Sequence, residues 1–205
     1  MEATLQESIF FCGRYRTVLT AVRFAAVTLL AALLIIPVAA QNRRMSPNQG
    51  EQDGIDVGGG WTEYQSDDKM TGAKKVRFEL VANNYFKEDP EFKPRVELFC
   101  SAGKLTLGDF NPGVKLGPPN RPGFWGQPQT QVRVRIDDYN DYKGWNWIRR
   151  HFLSMDKGTV RGLIGAQVFN VQLRTPGGWQ IAEFSPAGLE LNRVREACGI
   201  TPKKP

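Results

Sequence analysis

The chain has 205 residues, with 27 Lys and Arg against 21 Asp and Glu, a net charge of +6 and a mean hydropathy of −0.38. That is long enough for one domain with its own core. The basic excess is modest and dispersed, with no long basic run, which argues against nucleic-acid binding. A single histidine, His151, and the absence of any CxxC pair argue against a zinc site, and no cofactor motif is present.

The chain opens with Arg14, Arg16 and Arg23, then a nearly unbroken apolar run over residues 24–36, then Pro37-Val38-Ala39-Ala40 and the polar Gln41-Asn42-Arg43-Arg44. A charged head, a short apolar middle and small residues at the cut form the layout of a secretory signal peptide over 1–40, cleaved before Gln41. The competing reading is an uncleaved anchor. A spanning helix needs about 20 apolar residues, and Pro37 interrupts this run. On either reading the body faces a non-cytosolic space: periplasmic or secreted, or held at the inner membrane through 24–40. Membrane contact is expected only if that segment is retained. Gln41 rather than Cys follows the cut, so no lipid-modified cysteine is expected there, and Cys12 leaves with the signal.

Cys100 and Cys198 remain. In an oxidising compartment a lone pair usually forms a disulfide; the alternative is two buried free thiols. A bridge would close a long loop, which stabilises by roughly 2–4 kcal/mol and by up to about 4.7 kcal/mol in the chain-entropy picture.

Residues 41–60 are polar, lack apolar periodicity and end in Gly58-Gly59-Gly60, which reads as a flexible linker. The folded part is expected over 61–200, with a short tail at 201–205. Lys75-Val76-Arg77-Phe78-Glu79-Leu80 and Arg95-Val96-Glu97-Leu98-Phe99-Cys100 alternate polar and apolar, the period of half-buried strands. Ser101-Ala102-Gly103 is a hairpin turn into Lys104-Leu105-Thr106-Leu107. In Gln131-Val132-Arg133-Val134-Arg135-Ile136-Asp137 the valines and Ile136 point in and the arginines out. Gly144-Trp145-Asn146-Trp147 is expected to pair back across a turn over 137–143. Strands at 169–174 and 179–184 flank a Pro176-Gly177-Gly178 turn. A short helix is expected near 157–165, weakened by its glycines. A C-terminal helix is expected to start at Ser185-Pro186, with Leu191, Val194 and Cys198 on one face. The fold class is therefore mainly β, sandwich-like antiparallel sheets with a C-terminal α-helix, in a single domain.

Catalytic constellations are weak. His151 lies in Arg149-Arg150-His151-Phe152 without a GxSxG elbow or an identifiable acid. Asp137, Asp138 and Asp141 could bind calcium or act as paired acids, but they span a predicted turn, where Asp is an ordinary turn former. The aromatics Phe124, Trp125, Tyr139, Tyr142, Trp145 and Trp147 are concentrated in one stretch, with Phe124-Trp125 in a Pro/Gly-rich loop. Exposed loop aromatics stack on sugars or anchor a protein partner; the alternative is that they pack in the core and pin their own loop.

Taken in order, Trp61, Ser66-Asp67-Asp68-Lys69-Met70-Thr71, Leu98-Phe99-Cys100, Val134-Arg135-Ile136-Asp137, Trp145, Leu163-Ile164, Phe184-Ser185-Pro186-Ala187-Gly188-Leu189 and Val194-Arg195-Glu196-Ala197-Cys198 resemble the VasI/TagO-like proteins associated with type VI secretion. The resemblance spans Trp61 to Cys198. It implies a small exported, disulfide-bonded accessory protein rather than an enzyme, with Trp61, Cys100, Arg135, Asp137, Trp145 and Cys198 in structural roles. The expected function is a non-catalytic envelope protein that contacts another envelope protein through Phe124 and Trp125. The alternative is a glycan or peptidoglycan-binding module using the aromatics Phe124, Trp125, Tyr139, Tyr142 and Trp145, with Asp138 and Asn140 bonding hydroxyls. A hydrolase using Asp137 or His151 is the third reading.

Overall fold

The computed structural model describes residues 53–202. The segment 1–40, residues 41–52 of the expected linker, Cys12 and residues 203–205 of the tail lie outside the described residues. Eleven strands and two helices follow in chain order. They are β1 (Ile55–Asp56), β2 (Trp61–Asp67), β3 (Lys74–Val81), β4 (Arg95–Ser101), β5 (Lys104–Asn111), β6 (Arg121–Pro122), β7 (Pro128–Ile136), β8 (Tyr139–Ile148), β9 (Phe152–Ser154), α1 (Lys157–Leu163), β10 (Phe169–Thr175), β11 (Gly178–Phe184) and α2 (Leu191–Cys198).

All strands belong to one antiparallel sheet, ordered β1-β2-β3-β4-β5-β9-β8-β7-β10-β11, with β6 added to β7. Its two halves, β1–β5 and β8-β7-β10-β11, are joined through the three-residue β9, which pairs with β5 through only Asp109↔Ser154 and Phe110↔Leu153. The sandwich is thus a single sheet folded on itself. Phe110 of β5 meets Trp145 of β8 at 5.9 Å and Phe184 of β11 at 6.3 Å, and Phe184 meets Phe169 of β10 at 5.7 Å. The described residues form one compact unit.

The period-2 patterning becomes visible as rows across the strands. Trp61, Leu80, Val96, Phe110, Leu153 and Trp147 lie side by side facing inward. The neighbouring outward row is polar throughout: Asp56, Thr62, Glu79, Glu97, Asp109, Ser154, Asn146, Gln129 and Arg121. Each large buried apolar side chain of the inner row contributes about 1.5–3 kcal/mol. Gly108 gives α1 its seat, because a Cβ there would lie 2.6 Å from Val160 Cγ2. Asp156 caps α1, its carboxylate accepting from the Thr159 N–H and hydroxyl.

Cys100 and Cys198 are bonded, with Cα atoms 5.0 Å apart, and this staples α2 to β4 across 98 residues of sequence. Both cysteines are buried. A disulfide of this kind fits a compartment outside the reducing cytosol. No described helix is long and apolar enough to cross a membrane.

Three boundaries differ from the sequence reading. The first concerns 55–60, expected as linker. β1 pairs with β2, Val57 is fully buried, and Gly58, Gly59 and Gly60 all have positive φ. A Cβ on Gly59 would lie 1.8 Å from the Ala187 carbonyl oxygen. That triple glycine is therefore a close backbone packing site, not a flexible spacer. The second concerns the C-terminal helix, which begins at Leu191 rather than Ser185. Residues 185–190 are held in an irregular segment, with a turn at Ala187-Gly188, by tertiary bonds: Pro186 O accepts from the Trp61 indole N–H at 2.9 Å, and the Glu190 N–H donates to Val57 O. Leu191 is exposed, while Val194 and Cys198 face the core. The third concerns the β7–β8 turn, which is Asp137-Asp138 alone, so β8 starts at Tyr139 rather than Gly144.

Two predictions follow from the covalent and backbone geometry. Cys100→Ala with Cys198→Ala lowers stability by roughly 2–4 kcal/mol, read as a drop in urea midpoint that reductant reproduces in the unmodified protein. The β8–β9 turn holds Arg149 and Arg150 both at positive φ, 49° and 65°, closed by His151 N–H to Ile148 O. Asn and Gly prefer that turn. Arg149→Asn with Arg150→Gly therefore raises the thermal midpoint, by an amount equivalent to about 1 kcal/mol.

Candidate binding surface

The Phe124-Trp125 tip is built by local chain chemistry. Arg121 pairs with Gln129 and Pro122 with Pro128, forming a two-residue extension of β7. Beyond it, the Gly123 N–H donates to Gln127 O, the Gly126 N–H to Gly123 O and the Trp125 N–H to Gln127 Oε1. Gly126 takes the left-handed conformation this turn needs, with φ 75°. These three bonds close the turn and leave both rings outside. Phe124 is 89% exposed and Trp125 80%, packed edge to face at 4.8 Å. Beside them is a shallow depression of about 430 Å³ lined by Arg121, Pro122, Gly123, Phe124, Gln129 and Gly144. Gly144 is its floor: any Cβ there would lie 2.6 Å from Gln129 Oε1 and 3.4 Å from Arg121 Cδ.

The other predicted aromatics divide by strand parity. Tyr142 is outward and exposed on the same face of β8 as Gly144. Tyr139 sits on the opposite face of β8 at the turn, its hydroxyl donating to Asp141 Oδ2 at 3.0 Å. Trp145 is fully buried against Phe110, which corrects its assignment as a contact residue: odd positions of β8 face the core. Trp147 is half-buried and its indole N–H donates to Thr130 Oγ1. The structure therefore brings Phe124, Trp125 and the depression together, places Tyr142 two residues from its floor, and removes Trp145 and Tyr139 from that face.

The acidic residues of the β7–β8 turn have structural partners. Asp137 Oδ1 accepts the Gln167 and Val168 N–H groups at 2.8 and 3.0 Å, tying the turn to the entry of β10. Arg135 Nε donates to the Asp137 carbonyl. Asp141 is held by Lys143, Tyr139 and the Tyr142 N–H, which lowers its pKa, chiefly through the Lys143 ammonium. Asp138 is exposed on the turn. His151 is exposed on the β8–β9 turn, with Phe152 its ring neighbour at 6.5 Å.

A charged cluster absent from the sequence reading occupies the polar row on the first half of the sheet. Arg77 Nη1 donates to Glu79 at 2.7 Å and Glu97 at 2.8 Å, and Arg95 Nη1 donates to Glu79 at 3.1 Å. The guanidiniums also lie over aromatic rings, Arg77 on Tyr64 at 4.0 Å and Arg95 on Phe92 at 4.8 Å. Asp109 sits next to Glu97 in the register and is 5% exposed. Its Oδ1 has no hydrogen-bond partner among the described residues. Burial, then the charge of Glu97, pushes its pKa up to about 7. Burial also raises Glu97, with Arg77 opposing it. No group of three or more His, Cys, Asp or Glu among the described residues is arranged to hold a metal ion.

Sequence reasoning also passed over Trp179 and Ile181. Both are exposed and outward on β11, between inward Gln180, Ala182 and Phe184. The alternation of that strand carried the signal. Comparison with protein-family models, with curated proteins and with solved structures gives no match.

Asp109 makes stability fall with rising pH. Its folded pKa lies above its unfolded value, so between about pH 4 and pH 7 the folded state holds a proton that the unfolded state has released, and folding loses stability as pH climbs through that window. The urea midpoint is expected to be higher at about pH 5 than at about pH 8, and Asp109→Asn flattens most of that slope, leaving the smaller part due to Glu97.

Proposed function

We propose that this chain is an exported, non-catalytic accessory protein of the bacterial cell envelope that works by contacting another envelope protein. The observation that carries the reading is the tip itself. Two large aromatic rings are held almost fully in solvent on a turn closed by its own hydrogen bonds. Burying them on a partner gains apolar contact with little further ordering of the chain. Aromatic anchors of this type dominate binding energy at protein interfaces. The adjoining depression at Gly144 offers a seat for one side chain of the partner. Export is supported by the N-terminal pattern and by the buried disulfide, which together suit the periplasm. A place beside type VI secretion rests on the resemblance to VasI/TagO-like proteins.

The test is site-specific photocrosslinking in cells. A photoreactive phenylalanine analogue replacing Trp125 is expected to give one discrete protein adduct in the envelope fraction, strongly reduced by Phe124→Ala. The same analogue replacing the exposed Lys69, on the first half of the sheet, is expected to give none. No adduct at 125, or the same adducts from both positions, overturns the proposal.

A further inference from the structure

The outer face of β8, β7, β10 and β11 is a second surface, which runs on from the depression at Gly144 past Tyr142, away from the Phe124-Trp125 tip. Tyr142, Arg133, Gln172 and Ile181 form one straight row across the four strands, spanning roughly 14 Å at the usual strand spacing. Asn140, Arg135, Asn170 and Glu183 form the next row. Beyond Ile181, Arg174 stands beside Trp179, which is 62% exposed. The Arg133 guanidinium lies 5.9 Å from the Tyr142 ring.

Three features of this face narrow its occupant. Of its outward positions only Glu183, at the edge, is acidic, against Arg133, Arg135 and Arg174. The face therefore complements negative charge. Between the arginines stand the amides of Gln131, Asn140, Asn170 and Gln172, which both donate and accept hydrogen bonds as hydroxyl groups do. A nucleic-acid groove would be dominated by cations instead. Lastly, the aromatic rings of Tyr142 and Trp179 lie at opposite sides of the face, each offering a flat apolar platform to the C–H face of a sugar ring.

We infer that this face binds a carboxylated polysaccharide, with sugar rings against Tyr142 and Trp179, hydroxyls on the amides, and carboxylates on Arg133 and Arg174. Arginine suits the last role because its planar fork matches a carboxylate in bidentate fashion. The site does not use the Phe124-Trp125 tip, so it stands or falls independently of the protein partner proposed above.

The experiment is isothermal titration of the purified full chain with a hexagalacturonate, alongside the neutral chitohexaose and a single-stranded oligonucleotide. Saturable binding of the acidic hexasaccharide is expected, weakened at least about tenfold by Arg133→Gln with Arg174→Gln. Trp179→Ala is expected to weaken it about tenfold through lost stacking, and Phe124→Ala with Trp125→Ala to leave it unchanged. Raising salt from about 0.05 M to about 0.5 M is expected to reduce affinity several-fold. All five substituted positions on the face and tip are exposed, and a native thermal midpoint for each variant shows that folding is intact. Equal binding of the neutral sugar, tighter binding of the oligonucleotide, absence of hexagalacturonate binding, or loss through the tip variant but not the face variants overturns the inference.

Discussion

The structure depends on a short piece of strand pairing. Asp109 and Phe110 bond across to Ser154 and Leu153, and this is where one sheet becomes two packed layers. A sheet with a single apolar face must cover it, and a continuous sheet does so by folding over. Because β9 is only three residues long, the bend is confined to one place. The aromatic rings of Phe110, Trp145 and Phe184 then converge on its inner side. Phe110 faces that core, and its neighbour Asp109 faces the other way by strand alternation, into the polar row, where it is itself buried. The raised pKa of Asp109 is thus a by-product of the bend that builds the core.

The chain's two described ends are locked to each other with similar economy. The Trp61 indole donates to Pro186, the triple glycine lies against Ala187 and Gly188, and the disulfide pins α2 to β4. Residues from opposite ends of the sequence therefore share one knot of contacts. Trp61 and the segment Phe184-Ser185-Pro186-Ala187-Gly188-Leu189, which read as separate motifs in the sequence, are physically one feature, and Cys198 ties the helix that follows to β4. Their common role is structural, and the solvent-facing loops and the outer sheet are left for recognition.

Much of this was legible beforehand. The strands with regular alternation, such as β4, β7 and β10, are where the apolar pattern placed them, because a half-buried antiparallel strand imposes period 2 directly on the sequence. The pairing of Cys100 with Cys198, weighed against two free thiols, is the arrangement found. The readings that failed share a cause. The triple glycine resembled a spacer because local composition does not show what packs against it. Ser185-Pro186 resembled a helix start because capping preference is a local signal, overridden here by bonds to Trp61 and Val57. Trp145 was open between a contact residue and a core residue, and its strand parity, fixed by pairing with β7, makes it core.

Sequence alone determined the strand pattern and the cysteine pair, since each depends on side chains read in order along the chain. Tertiary structure decided which aromatics reach solvent, which carboxylate is buried without a partner, and which arginines share a face with Tyr142 and Trp179. Those properties are set by cross-strand register and by the fold of the whole sheet, which brings together residues far apart in the chain, as in the bond from Arg193 to Glu63 across 130 positions. No local pattern encodes that geometry, because it is the outcome of closing the whole apolar surface at once.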